Sequence, residues 1–238
     1  MNARLASPIR LDKAVSQVTG LSRSDAKRAA KAQRISVNDQ VVTDPTVKVQ
    51  ASDSLCLDGV PLLKPGPRYI MLNKPMGYVS ATKDPKHPTV LDLIEEPNTG
   101  RLHIAGRLDI DTTGLVLLTD DGQWSHKVTS PNHHCAKTYH AQLADKIEAM
   151  AVAKFAKGIW LNSERRRTRP AKLQILLANE ARVTIGEGRY HQVKRMFAAL
   201  GNKVLALHRE KIGDISLDET LGEGEYRFLT PDEIASVK

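Results

Sequence analysis

The chain has 238 residues, 41% of them hydrophobic and 26% charged, a composition that supports a packed core and excludes a disordered polymer. Its length suits one medium domain plus one small one. A formal charge of +8 gives a surface field that draws polyanions, nucleic acid first among them. Two cysteines, Cys56 and Cys135, are too few for a disulfide framework and lack the CxxC spacing of a zinc site, which fits a reducing cytoplasm. MNARLASPIRLDK has no apolar run of the signal-peptide kind, and no stretch approaches the roughly 20 apolar residues that cross a bilayer. A cytoplasmic protein without a membrane partner is expected.

From Arg10 to Gln33 the pattern predicts two short helices. Leu11, Ala14, Val15 and Val18 form the apolar stripe of the first, and Gly20 stops it. Ser22 caps the second, with Asp25 near the position of a capping-box partner. After Arg34 the period becomes alternating in ISVND, QVVTD, VKVQ and SLCLDG, which predicts short strands with turns at Asn38-Asp39 and Asp44-Pro45. VPLLKPGPR, from Val60 to Arg68, holds three prolines and a glycine and reads as a stiff connector. The expected division is a small domain over 1–60, a linker over 61–67 and a larger domain over 68–238.

In the larger domain YIMLNKP, GLVLLTDDG, KTYHAQL, GIWL, AKLQILL, ARVTIGEG and NKVLALHREKIG are strand candidates. TVLDLIE, DKIEAMAVAKFAKG and YHQVKRMFAALG read as helices, the last ending on Gly201. TPDEIASV has Thr230 at a cap, Pro231 at the first helical position and Glu233 as its box partner. Strands outnumber helices and follow one another like hairpins. The expected class is therefore α+β, with a mainly antiparallel mixed sheet flanked by helices.

Between Arg10 and Arg34 lie seven basic residues, Arg10, Lys13, Arg23, Lys27, Arg28, Lys31 and Arg34, against the acidic Asp12 and Asp25. Such a density can neutralise several phosphates, and on a helix Lys27, Lys31 and Arg34 would form one stripe. A solvated polar face is the competing reading. RLDKAVSQVTGLSRSDAKRAAKAQRISVNDQVV resembles the S4 RNA-binding domain in its RLDK opening, its interhelical glycine, the Ser22-Arg23 cap and the hydrophobic-Val-Asn turn. Asp39 stands where that family usually has glycine. The resemblance makes Arg10, Ser22, Arg23, Lys27, Lys31 and Arg34 candidate RNA contacts.

GRLDIDTTGLVLLTDDG, from Gly106 to Gly122, resembles the signature of the pseudouridine synthases, in the branch that modifies ribosomal RNA. The resemblance implies that Asp109 is the essential catalytic residue and that Arg107 holds the flipped-out nucleotide or its backbone. In HHCAKTY it implies that Tyr139 lies against the target base. In GRYHQVKRMF it implies that Lys194 is the basic partner of the aspartate and Val193 an aliphatic neighbour of the base. The implied substrate is a uridine of 16S ribosomal RNA, naked or in a partly assembled small subunit, with a 23S or transfer RNA uridine as the alternative target. A non-catalytic assembly protein is the rival from another class, against which the intact Asp109, Tyr139 and Lys194 speak.

Conversion of uridine to pseudouridine breaks the C1′–N1 bond and rejoins uracil through C5, with no net gain or loss of electrons. It calls for a carboxylate that acts as nucleophile, at the sugar or at the base ring, or that stabilises positive charge at C1′, and for a route to remove the C5 proton, in which Tyr139 either stacks on uracil or takes part. It does not call for a cofactor. GEGRYHQVKR lacks the residues of a P-loop or a dinucleotide fold. The base must leave its stack, at a cost of a few kcal/mol that pocket and phosphate contacts offset.

Other clusters have plainer readings. In a strand Asp109 and Asp111 would share a face and could be taken for a glycosidase pair, which the basic surface disfavours. Asp120-Asp121 reads as a turn rather than a metal loop. His126, His133, His134 and Cys135 lack finger spacing, so no metal is expected. Arg165, Arg166, Arg167 and Arg169 form either a solvated loop or a second RNA contact, and Trp124 and Trp160 are expected to pack. A monomer is the default expectation.

Overall fold

The computed structural model describes residues 8–50, 53–62, 66–130, 135–162 and 164–237. The chain forms two compact units, Met1–Gly66 and Pro67–Lys238. In the first, β1 (Ile9–Arg10) leads into α1 (Leu11–Thr19) and α2 (Arg23–Lys31), followed by β2 (Ile35–Val37), β3 (Gln40–Val41), β4 (Lys48–Val49), β5 (Leu55–Leu57) and β6 (Val60–Pro61). Gly20 ends α1 in the left-handed region at φ 75°, the conformation glycine adopts without steric cost. The Ser22 side chain accepts from the Asp25 amide, satisfying one of the helix's open donors.

Leu11, Ala14 and Val15 of α1 meet Ala26, Ala29 and Ala30 of α2 over Ile35, Val49 and Leu55. The alanines let the two helices approach closely. At the β2–β3 turn Asn38 and Asp39 take φ of 50° and 64°, so Asp39 adopts the left-handed geometry that such a hairpin requires without a glycine. The expected connector begins later than its prolines suggest, because Val60 and Pro61 pair with Leu57 and Cys56 as an edge strand, where proline is tolerated. Residues 63–65 of it lie outside the described residues.

The second unit contains β7 (Tyr69–Lys74), β8 (His103–Ala105), β9 (Thr113–Thr119), α3 (Gly122–Thr129), β10 (Lys137–Leu143), α4 (Met150–Lys157), β11 (Lys172–Leu177), β12 (Glu180–Ile185), α5 (Gln192–Ala198), β13 (Val204–Ile212), β14 (Ile215–Ser216), β15 (Tyr226–Phe228) and α6 (Pro231–Ser236). Its sheet runs β11-β12-β10-β13-β9-β7-β15, with β14 on β13 and β8 on β9. The β13–β9 pair is parallel and the other pairs of that sheet are antiparallel. The class is α+β, as expected.

Successive residues of β7 and β9 alternate between two cores. Ile70, Leu72, Val116 and Leu118 face a core shared with Phe155 and Phe197, whereas Met71, Leu115 and Leu117 face one shared with Trp124, Val128 and Ile215. Burial on both faces explains why these strands read as unbroken apolar runs. Among the described residues no helix is long and apolar enough to cross a membrane.

Several elements depart from expectation. TVLDLIE forms only a 3-10 turn over Val90–Leu93, closed by a Thr89–Asp92 capping box. The helix in DKIEAMAVAKFAKG is confined to α4. GIWL is not a strand: Ile159 and Leu161 are buried in a loop tied by hydrogen bonds between Ile159 and Thr168. Asp121 caps α3 by accepting from the amides of Gln123 and Trp124, so DDG opens a helix instead of making a plain turn. Thr230 and Glu233 form the expected box at α6, and Gly201 ends the α5 segment at φ 81°.

Candidate active site

The segment from Gly106 to Thr112 links β8 to β9 as a loop, so Asp109 and Asp111 are not strand neighbours. Two buried cations hold its backbone. Arg209 on β13 is 2% exposed. It donates to the carbonyls of Leu115 at 2.8 Å, Gly106 at 2.6 Å and Arg107 at 3.3 Å, and to the Tyr139 hydroxyl at 3.4 Å. No carboxylate is among these partners, and backbone carbonyls must offset the cost of burying the charge.

Lys74 ends β7, also fully buried, and donates to the carbonyls of Pro75 at 2.9 Å, Thr112 at 2.8 Å and Ile110 at 3.4 Å. Burial pushes the Lys74 ammonium down to about 8, against the pull of the Asp111 and Asp109 charges. The loop thus has a cation under each end.

Gly114 makes this arrangement possible. At φ 97° it lies where a Cβ would stand 2.4 Å from the carbonyl oxygen of Arg209 and 2.8 Å from its amide nitrogen. Only glycine lets β9 run this close to β13, and that approach brings the arginine under the loop.

Above the cations Asp109 lines a small cleft of about 100 Å³ with Arg107, Thr112, Tyr139, Val193 and Lys194 among its walls. Lys194 Nζ is 3.6 Å from Asp109 Oδ2 and 2.5 Å from Asp111 Oδ1. The basic partner expected for Asp109 is therefore shared, and its shorter bond goes to Asp111. Burial raises the Asp111 carboxyl, but the hydrogen bond and charge of Lys194 outweigh it and hold the group below its ordinary range. His191 Nε2 lies 3.4 Å from Asp109 Oδ1.

Tyr139 on β10 is 8% exposed, with the Arg209 guanidinium 5.8 Å from its ring centre. Val193 is buried on α5 and Arg107 is exposed at the rim. The structure thus brings together all five residues expected here.

Lys74, Arg209, His191 and Asp111 also belong to this region and were not anticipated as parts of it. A lysine ending an apolar strand was the available signal for Lys74. For Arg209 it was an arginine sharing the inward parity of Leu207.

The arginine loop is anchored to the cleft. Arg189 donates to the carbonyls of Arg166 and Arg167 at 2.9 and 2.7 Å, and Arg195 to that of Asn162 at 2.7 Å. Arg165, Arg166 and Arg167 remain exposed and Arg169 is half-buried. Trp124 packs in the core, whereas Trp160 is 53% exposed with Arg167 5.7 Å above its ring; the expectation that it packs fails. His133 and His134 lie outside the described residues.

In the first unit Arg10 and Arg23 each lie 3.0 Å from the buried Asp12. Burial raises that carboxyl, and hydrogen bonds from Arg10 and Arg23 outweigh it and hold the group low. These two arginines therefore brace the helices besides facing solvent. Arg34 lies beyond the end of α2, so it does not continue the stripe of Lys27 and Lys31, and it pairs with Asp58 at 2.6 Å. Lys27 and Lys31 stay exposed on one face.

Residues 68–199 match the family model described as RNA pseudouridylate synthase, and residues 9–55 match the S4 domain. The chain is 54% identical over 230 residues to the ribosomal small subunit pseudouridine synthase A of Salmonella typhimurium strain LT2, covering 96% of this chain and 100% of that protein. The protein of the same name from Escherichia coli strain K12 matches with the same identity and coverage. A crystal structure of a pseudouridylate synthase superposes with a TM-score of 0.71 at 51% identity, over 97% of this chain and 100% of that one. The loop that carries Asp109 and the strand and helix that face it all fall inside the matched region, and the chain belongs to the RNA pseudouridylate synthase family, with an S4 domain before its catalytic domain.

Proposed function

We propose that this protein converts one uridine of 16S ribosomal RNA to pseudouridine, with Asp109 as the catalytic carboxylate. The observation that carries the reading is the convergence of Asp109, the Tyr139 ring, the Val193 side chain and the Lys194 ammonium on one cleft. The names of the two relatives support the small subunit as the source of the substrate.

The residues divide the work. Asp109 attacks C1′ or neutralises positive charge that builds there as the bond to N1 breaks. Uracil turns within the cleft between Tyr139 and Val193. C5 then bonds to C1′, displacing the Asp109 carboxylate where it has bonded there, the C5 proton leaves and N1 gains one, so atoms and electrons balance without a cofactor. Lys194 supplies counter-charge and fixes the carboxylate, and Arg107 at the rim holds the nucleotide backbone. Asp109, Tyr139, Val193 and Lys194 reach the cleft from a single chain, which supports a monomer as the working form. A ribosomal substrate supports the cytoplasm as the working compartment.

RNA outside the cleft is held by Lys27, Lys31 and Arg34, together with Arg10, Ser22 and Arg23 at the head of the helices and Arg165, Arg166, Arg167 and Arg169 beside the cleft. Replacing both Lys27 and Lys31 with glutamine should weaken binding and flatten the dependence of log K on log salt by roughly 0.7 to 0.9 for each phosphate no longer neutralised. An unchanged slope in a filter-binding titration would assign those lysines to a merely solvated face.

The deciding experiment maps pseudouridine in 16S and 23S ribosomal RNA and transfer RNA from cells lacking the protein, then from the same cells given wild type or Asp109→Asn. One 16S site should vanish and return only with wild type. Loss of a 23S or transfer RNA site instead would move the substrate and keep the chemistry, and no change at any site would overturn the activity.

A further inference from the structure

Beyond the cleft, one aromatic side chain has no core to serve. Tyr190 is 75% exposed, yet its ring stacks on the His191 imidazole with centroids 3.8 Å apart and planes at 20°. With one face covered by His191, the exposure of Tyr190 lies on its other face and edge. His191 in turn reaches Asp109, with Nε2 at 3.4 Å from Oδ1, so the stack starts at the carboxylate and ends in solvent.

The backbone beneath this pair is held in place. His191 takes a left-handed φ of 47°, a conformation that costs a non-glycine residue energy and persists only where its surroundings impose it. Those surroundings are the Arg189 amide donating to Gln192 Oε1 at 2.8 Å, Arg195 Nη1 donating to the Tyr190 carbonyl at 3.2 Å and the Arg195 amide donating to the His191 carbonyl at 2.9 Å.

We infer that the Tyr190–His191 stack is a nucleobase platform at the mouth of the cleft, taking the unpaired base of a nucleotide adjacent to the flipped uridine. The inference rests on the proposed reading of the cleft as the site of a flipped uridine in RNA. Extruding one nucleotide leaves its neighbours unstacked, and an open aromatic face replaces the lost stacking. Every base has a π-face, so the platform holds the strand without reading its sequence. It differs in kind from Tyr139, which is buried inside the cleft and faces the reacting uracil.

The test compares wild type with Tyr190→Ala, Tyr190→Phe and Tyr190→Trp on an unmodified 16S fragment that contains the mapped uridine, reading both Kd and pseudouridine formed. Because the side chain is exposed, none of these changes removes core packing. Tyr190→Ala should raise Kd and KM by roughly 10-fold or more, with kcat little changed, while the phenylalanine and tryptophan variants keep near-wild-type values because stacking needs the ring and not the hydroxyl. The slope of log K against log salt should stay as in wild type, since the basic residues that meet the phosphates are untouched.

A fragment with abasic nucleotides on both sides of the target should bind wild type and Tyr190→Ala alike. Equal Kd for wild type and Tyr190→Ala on the intact fragment, or a phenylalanine variant as weak as the alanine one, would overturn the platform. The Kd comparison needs no turnover, so it decides the platform even if wild type forms no pseudouridine, an outcome that would count against the proposed activity alone.

Discussion

Asp109→Asn should abolish pseudouridine formation, by roughly 10⁴-fold or more, the scale on which losing a group essential to chemistry is felt, while RNA affinity stays within a few fold. The amide keeps the shape of the side chain and loses its capacity to attack C1′ or to balance charge there. The fold should barely notice. Lys194 retains Asp111 at 2.5 Å, so its ammonium is not left without a counter-charge, and the Asp109 side chain is about one-third exposed. Product measured by mass spectrometry of digested RNA, beside filter-binding affinities, separates the two effects. Substantial turnover by the variant would move the chemistry to another residue, and a large loss of affinity would mean that the carboxylate organises binding.

Arg209→Met should damage both stability and rate. The guanidinium serves three carbonyls and the Tyr139 hydroxyl, and each buried acceptor left without a donor costs about 1–3 kcal/mol. Partial relaxation of the loop and entry of water would bring the total to roughly 3–5 kcal/mol. Release of Gly106 and Arg107 also frees the segment that aims Asp109, and small misplacements of a reacting group cost about 100-fold in rate. Arg209→Lys should fall between, since it restores the charge without the fork that reaches several acceptors at once. Urea unfolding and kcat on the same samples test this, and a methionine variant with wild-type kcat would show that the loop holds itself.

Much of this was legible in the amino-acid order. Asp109, Tyr139, Val193 and Lys194 sit in short segments whose residue pattern is distinctive, and it was the resemblance of those segments to a known family that singled them out. Gly20, Ser22 and Thr230 marked helix ends because capping is decided within three or four residues.

What escaped depends on long-range register. Arg209 reads as one charge in a polar strand until pairing with β9 sets it opposite Gly114, and Lys74 reads as the polar end of an apolar run until Ile110 and Thr112 fold over it. GIWL has the composition of a strand, yet Ile159 bonds to Thr168 in a loop instead. Arg34 looked like the next member of a helical stripe only while α2 was allowed to run past Lys31. Local composition cannot report a partner that lies a hundred positions away.

That distance also governs when the enzyme becomes competent. Thr113 and His208, hydrogen-bonded across the β9–β13 seam, stand 95 positions apart, and closing so long a loop carries an entropic cost that slows formation of the pair. During synthesis the first unit and the segment bearing Asp109 emerge well before β13, and leading domains fold first. A nascent chain would therefore display its basic helices while its carboxylate still lacked the arginine beneath it. RNA capture can precede reactivity, and a product truncated before Arg209 would hold RNA without modifying it.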